Sequence, residues 1–201
     1  MNRLAKLIAV SALTVSTVGG TTFMLNQPTT QVQVVKAAAK NVTLGSGTYK
    51  VGKDIKPGRY VITAQSGSGN LSDSNDMNII LGDTTDDDLG QVTSYTTNLP
   101  KGDKVKIEEI EAVNFKPVTK RSYQTTLGAG SWVVGKDIKP GRYTIKCTEG
   151  SGNLSSDDGE INEIIGTSSD DDTGQVTKTT QTLHRGEILT SDAQQIQLIK
   201  K

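Results

Sequence analysis

The sequence predicts an all-β protein: two tandem small antiparallel β-sandwich domains, jelly-roll-like or immunoglobulin-like, preceded by an export signal. Three observations carry this expectation. The stretch Val51-Gly52-Lys53-Asp54-Ile55-Lys56-Pro57-Gly58-Arg59-Tyr60 returns unchanged from Val134 to Tyr143, so the chain is a duplication. Short runs of alternating apolar and polar residues, punctuated by Gly, Pro, Asn and Asp, fill both copies, which is the pattern of half-buried strands and tight turns. Hydrophobic content is only 33% over 201 residues, low for one large core but adequate for two domains of roughly 80 residues each. The expected division is 1–39 as signal peptide, 40–120 as the first repeat and 121–201 as the second.

The first segment carries Arg3 and Lys6, then a mainly apolar run from Leu7 to about Val18, and later the small residues Ala37-Ala38-Ala39. That is the order of a secretory signal peptide, with cleavage fitting after Ala37 or after Ala39. Thr14, Ser16, Thr17, Gly19 and Gly20 make the run weakly apolar for a membrane span. Export to an extracellular or cell-surface location follows, with no membrane contact after cleavage. Three of the 22 basic residues precede Lys40 and no acidic residue does, so the remainder is slightly acidic. Without a basic face or interleaved aromatics, nucleic acid is not expected as a partner. The single cysteine leaves no disulfide framework and no cysteine-based zinc site.

In the first repeat, strands are expected near Thr48–Val51, Arg59–Gln65, Leu71, Met77–Leu81, Gln91–Thr97, Lys104–Glu109 and Ala112–Phe115. The motif is read as a type II turn. Pro57 fixes φ for its second position and Gly58 supplies positive φ at its third, with Asp54 nearby; Asp137, Pro140 and Gly141 do the same in the second copy. Gly67-Ser68-Gly69-Asn70 and Gly150-Ser151-Gly152-Asn153 are read as turns, and Lys116 to Ser122 as the linker. One residue is inserted between Leu154 and Ile161 with both flanks still matching, which marks a surface loop.

Paired positions nominate a core: Tyr49 with Trp132, Val51 with Val134, Ile55 with Ile138, Tyr60 with Tyr143, Ile62 with Ile145, Leu71 with Leu154, Ile80 with Ile164, Val92 with Val176, and Leu99 with Leu183. Cys147 takes the place of Ala64 and reads as a small buried hydrophobe. The repeated Val-Gly-Lys-Asp-Ile-Lys-Pro-Gly-Arg-Tyr followed by Gly-Ser-Gly-Asn resembles a tandem repeat of secreted proteins from lactic-acid and related Gram-positive bacteria. The resemblance covers nearly all the chain after the signal. It implies an extracellular or surface protein and brings no catalytic residues.

No nucleophile with a base, metal cluster or phosphate cradle is recognisable. His184, the only histidine, falls in the turn Leu183-His184-Arg185-Gly186. The acidic runs Asp86-Asp87-Asp88 and Asp170-Asp171-Asp172 are the candidate metal ligands, since crowded carboxylates invite calcium. Their spacing is not that of an EF-hand, and aspartate-rich turns need no ion. No other cofactor is expected. The sequence therefore points to a non-catalytic binding or adhesion module for a cell-wall or host polymer, with a carboxylate-based secreted glycan hydrolase as the alternative.

Overall fold

The computed structural model describes residues 39–201, so the signal-peptide expectation lies outside the described residues. Those residues are all-β, with no helix among them, and hence none long and apolar enough to cross a membrane. The first repeat supplies β1 (Val42–Leu44), β2 (Gly47–Lys50), β3 (Gly58–Ser66), β4 (Ser68–Asp73), β5 (Asn78–Gly82), β6 (Ser94–Leu99), β7 (Lys104–Glu108) and β8 (Ala112–Pro117). The second supplies β9 (Thr126–Val133), β10 (Gly141–Glu149), β11 (Ser151–Ser156), β12 (Asn162–Gly166), β13 (Lys178–Leu183) and β14 (Ile188–Lys200).

The strands form a four-stranded sheet, β2-β7-β4-β5, and a ten-stranded sheet that begins β1-β8-β3-β6. The second repeat uses fewer, longer strands for the same pairings. In β9, Thr126–Gly128 pairs with Gln195–Gln197 as β1 pairs with β8, and Gly130–Val133 pairs with Ile188–Ser191 as β2 pairs with β7. The ladder breaks register between Ser191 and Gln195, where β14 passes from pairing with β11 to pairing with β10. In the first repeat the same change of partner runs between β7 and β8 through Glu109 at φ 64°, the one non-glycine residue with positive φ among those described.

The apolar residues gather into two clusters, one per repeat, with Ala129 alone crossing into the first. Tyr60 packs edge-on against Phe115 with ring centroids 6.3 Å apart in the first, and Trp132, Tyr143 and Leu154 help fill the second. Cys147 is buried as expected. One nominated pair is overturned: Ile80 is only half-buried and Ile164 is exposed, while Ile79, Leu81 and Ile165 point inward. Alternation of faces along a strand permits only one phase, and the bridges from Leu81 to Val92 and from Ile165 to Val176 set it.

Two turn assignments are also corrected. Gly58 begins β3 without positive φ, and Gly141 has φ 153°; the tight turn lies earlier, at Gly52 (φ 100°) and Gly135 (φ 91°). There Lys50 N–H donates to Asp54 Oδ2 and Val133 N–H to Asp137 Oδ2, both at 2.9 Å, closing the turn around the aspartate. The Lys-Pro-Gly-Arg-Tyr part is instead tied by the tyrosine: Tyr60 Oη donates to the Lys56 carbonyl at 2.6 Å and Tyr143 Oη to the Lys139 carbonyl at 2.7 Å. Likewise the chain reverses at Gly67 (φ 82°) alone, and Ser68 to Asn70 already belong to β4. A Cβ on Gly69 would stand 2.1 Å from the Glu108 carbonyl oxygen, so this glycine answers close backbone approach rather than turning.

Candidate functional site

The two repeats meet along the edge of β6, which bridges in parallel to β9 at Thr96 and Gly130. A Cβ on Gly130 would lie 2.3 Å from the Thr96 carbonyl oxygen, so only glycine permits this approach. Beside it, Arg59 reaches from β3 into the second repeat. Its Nη2 donates to the Ser131 carbonyl at 2.9 Å and pairs with Asp137 Oδ2 at 3.1 Å, and its guanidinium lies 5.2 Å from the Trp132 ring centroid. Arg121 grips the same carboxylate, Nε donating to Oδ1 at 2.6 Å and Nη2 to Oδ2. Gln194 adds a donor to Asp87 Oδ1 at 2.9 Å.

Burial pulls the Arg59 guanidinium down to about 10, against the opposing pull of Asp137, so it remains charged at neutral pH. Desolvation alone would raise the Asp137 carboxyl, but the Arg121 hydrogen bond, the Val133 N–H and the Arg59 charge outweigh it and hold it below the usual aspartate range. The joint is a buried, paired charge cluster with a cation–π face.

Above the joint lies a cleft of about 800 Å³ between the repeats. Its walls mix polar and apolar groups: Asn75, Asn78 and Asn98 face Asn153 and Asn162, with Asp73 and Asp76 on one side and Asp157 and Asp192 on the other, beside Met77, Pro100 and Ile188. Tyr95, Ser131 and Thr190 also line it. Asp73 is fixed by accepting from the N–H groups of Asn75 (2.8 Å) and Met77 (3.1 Å). Desolvation raises the carboxyls of both Asp73 and Asp192 above their usual range. Burial pushes the Tyr95 phenol well above its ordinary value, and the charges of Asp192, Asp73 and Asp76 push the same way while a hydrogen bond with Ser131 opposes them. Carboxylates from both repeats therefore converge on one phenol. Amide-rich and carboxylate-rich walls of this kind match hydroxyl-bearing ligands, which need both donors and acceptors.

The sequence assigned a binding role to none of these cleft residues: Asn153 reads there as a turn residue and Tyr95 as a strand aromatic. Of the residues it did name, Asp137 lies in the joint, and Asp54 occupies the equivalent turn on the exposed face of the first repeat. Pro57 and Pro140 sit at the bends leading into β3 and β10. Asp86 and Asp170 fold the acidic runs back on their own loops, while Asp87 is reached from the other repeat by Gln194. Asp86 Oδ1 accepts from Asp88 N–H and Leu89 N–H, Asp170 Oδ1 accepts from Asp172 N–H, and the Gln91 and Gln175 side-chain amides each donate to a loop carbonyl, Thr84 and Ser168, at 2.8 Å. Among the described residues, no three His, Cys, Asp or Glu side chains gather where they could hold a metal ion. His184 is exposed in its turn. A signal at the joint was Trp132 itself, the one tryptophan of the chain, standing where the other copy has Tyr49 just before the unchanged ten-residue motif.

No family model, curated protein or solved structure matches this chain.

Proposed function

We propose that the chain is a secreted or cell-surface, non-catalytic binding protein built from two tandem jelly-roll sandwiches, with the cleft between them taking a polar polymer of the cell wall or of a host surface. The strand orders β1-β8-β3-β6 and β2-β7-β4-β5 are those of an eight-strand jelly roll, and one apolar cluster per repeat supports two such units. The carrying observation for binding is the cleft itself, whose facing asparagines and aspartates supply donors and acceptors beside the apolar Met77, Pro100 and Ile188. Its size is within the range of small-ligand sites. Export rests on the N-terminal sequence pattern.

The alternative, a carboxylate-based glycan hydrolase, is favoured by one observation: Asp73 and Asp192 line the same cleft and both have raised pKa values, as a general acid requires. Incubating the purified protein with isolated cell walls and with a glycan array separates the two. Retention on the polymer without release of sugars supports binding. Turnover abolished by Asp73→Asn or Asp192→Asn replaces it with hydrolysis, and neither retention nor turnover removes both.

A further inference from the structure

We propose that a second copy of this chain docks on it head to tail, repeating between molecules the joint that holds the two repeats together within one. That joint is made of two unlike surfaces. The first repeat gives the edge of β6 and Arg59, and the second receives them with Gly130, Ser131, Trp132 and Asp137. Because the chain is duplicated, each repeat carries both surfaces, and the fold consumes only one of each.

The unused receiving surface is on the first repeat, where Gly47, Thr48, Tyr49 and Asp54 stand in the places of Gly130, Ser131, Trp132 and Asp137. Among the described residues β2 pairs only with β7, so its outer edge is open. Asp54 is exposed, and its carboxylate is already fixed by Lys50 N–H at 2.9 Å, as Val133 N–H fixes Asp137. Tyr49 offers the aromatic face that Trp132 offers to Arg59. The unused giving surface is on the second repeat. Arg142 occupies the place of Arg59, is exposed, and forms no ion pair among the described residues, while β13 pairs only with β10 and leaves its far edge bare. A cation with an open strand edge at one end thus faces an anion with an aromatic ring at the other.

The copies are not identical, and the differences set the strength. Thr179 stands for Tyr95 and Lys178 for Ser94, so the joint between chains buries less apolar surface, and a lysine on an edge strand restrains uncontrolled pairing. The joint within the chain also has its two halves tethered by a short linker, worth an effective concentration of about 1 mM. Association between chains is therefore weaker than the internal joint and belongs to crowded conditions. Since the two surfaces differ, the contact is heterologous and extends into a row rather than closing as a two-fold dimer.

The test is sedimentation equilibrium on the purified full chain from about 10 μM to about 1 mM, a range that rises to that effective concentration. The wild type is expected to pass twice its 21.4 kDa mass as concentration rises. Arg142→Glu blocks the giving end, and Asp54→Asn the receiving end while keeping an oxygen for Lys50 N–H; each is expected to weaken association about tenfold or more. A one-to-one mixture of the two retains one good end of each kind and is expected to pair but stop at dimers. Thr48→Arg, at an exposed strand position, blocks the receiving end a second way if Asp54→Asn melts early. A wild type that stays monomeric throughout, or an Arg142→Glu chain that associates as the wild type does, overturns the proposal.

Discussion

Asp137 concentrates the chemistry of single residues in this chain, because one buried carboxylate answers two arginines and a backbone N–H. Its folded pKa is depressed, so its contribution is fully present above the ordinary aspartate value of about 3.9 and is lost as pH falls through the lower folded value. Melting curves from neutral pH downward are expected to show stability falling across that acidic window, and Asp137→Asn is expected to flatten the fall. Arg59→Ala should cost about 2 kcal/mol by denaturant unfolding, less than orphaning a buried charge outright, because Arg121 remains. A second residue-scale test is Gly69→Ala. The 2.1 Å approach to the Glu108 oxygen predicts a loss of about 2 to 3 kcal/mol, whereas Gly90→Ala, with open space around it, should cost only the strain of its φ of 64°, about 1 kcal/mol. Equal losses at the two glycines would remove the close-approach argument. The sequence could not separate these roles: a glycine that turns and a glycine that admits a neighbouring backbone look alike until the neighbour is known.

Strands and turns were legible where apolar alternation was unambiguous. Arg59 to Gln65 and Lys104 to Glu109 fall on β3 and β7 almost to the residue, while Val42–Leu44 is too short to show a period and was not anticipated. The run Met77 to Leu81 falls on β5, but its inward phase is not the one the paired isoleucines suggested. Two adjacent isoleucines, Ile79 and Ile80, leave the inward phase undetermined locally, and only the pairing of β4 with β5 and the bridge to Val92 select it. Leu154→Ala, fully buried in β11, should therefore cost about 2 to 5 kcal/mol, and Ile164→Thr, on the outer face of β12, less than about 0.5 kcal/mol. The acidic turns carry their own element-scale prediction. With Asp86 Oδ1 already accepting two backbone N–H groups, millimolar calcium is expected to leave the melting temperature unchanged. A rise that disappears when Asp86 to Asp88 and Asp170 to Asp172 become asparagine would make the loops a calcium site.

At the scale of the whole molecule, duplication was plain in the sequence but the relation between the copies was not. Each repeat predicts its own strands from its own residues, whereas the joint depends on Arg59 of one copy meeting Trp132 and Asp137 of the other; Arg59 and Asp137 recur in both copies as Arg142 and Asp54, and only Arg121, whose place in the first copy is taken by Ala38, does not. Nothing local distinguishes the Arg59 that is buried from the Arg142 that is exposed. The cleft follows from the joint, so its residues were equally hidden: Asn98 and Asn153 are ordinary polar strand residues until β6 and β9 are side by side. The most direct test of the central claim is isothermal titration calorimetry of solubilised cell-wall polymer into the full chain and into an Asn98→Ala/Asn153→Ala variant of unchanged melting temperature. Both positions are exposed on the cleft walls. Binding by the wild type that weakens about tenfold or more in the variant, as expected when two hydrogen-bonding groups worth about 1 kcal/mol each are lost, is the predicted result. Equal affinity in the two proteins would contradict the cleft as the binding site.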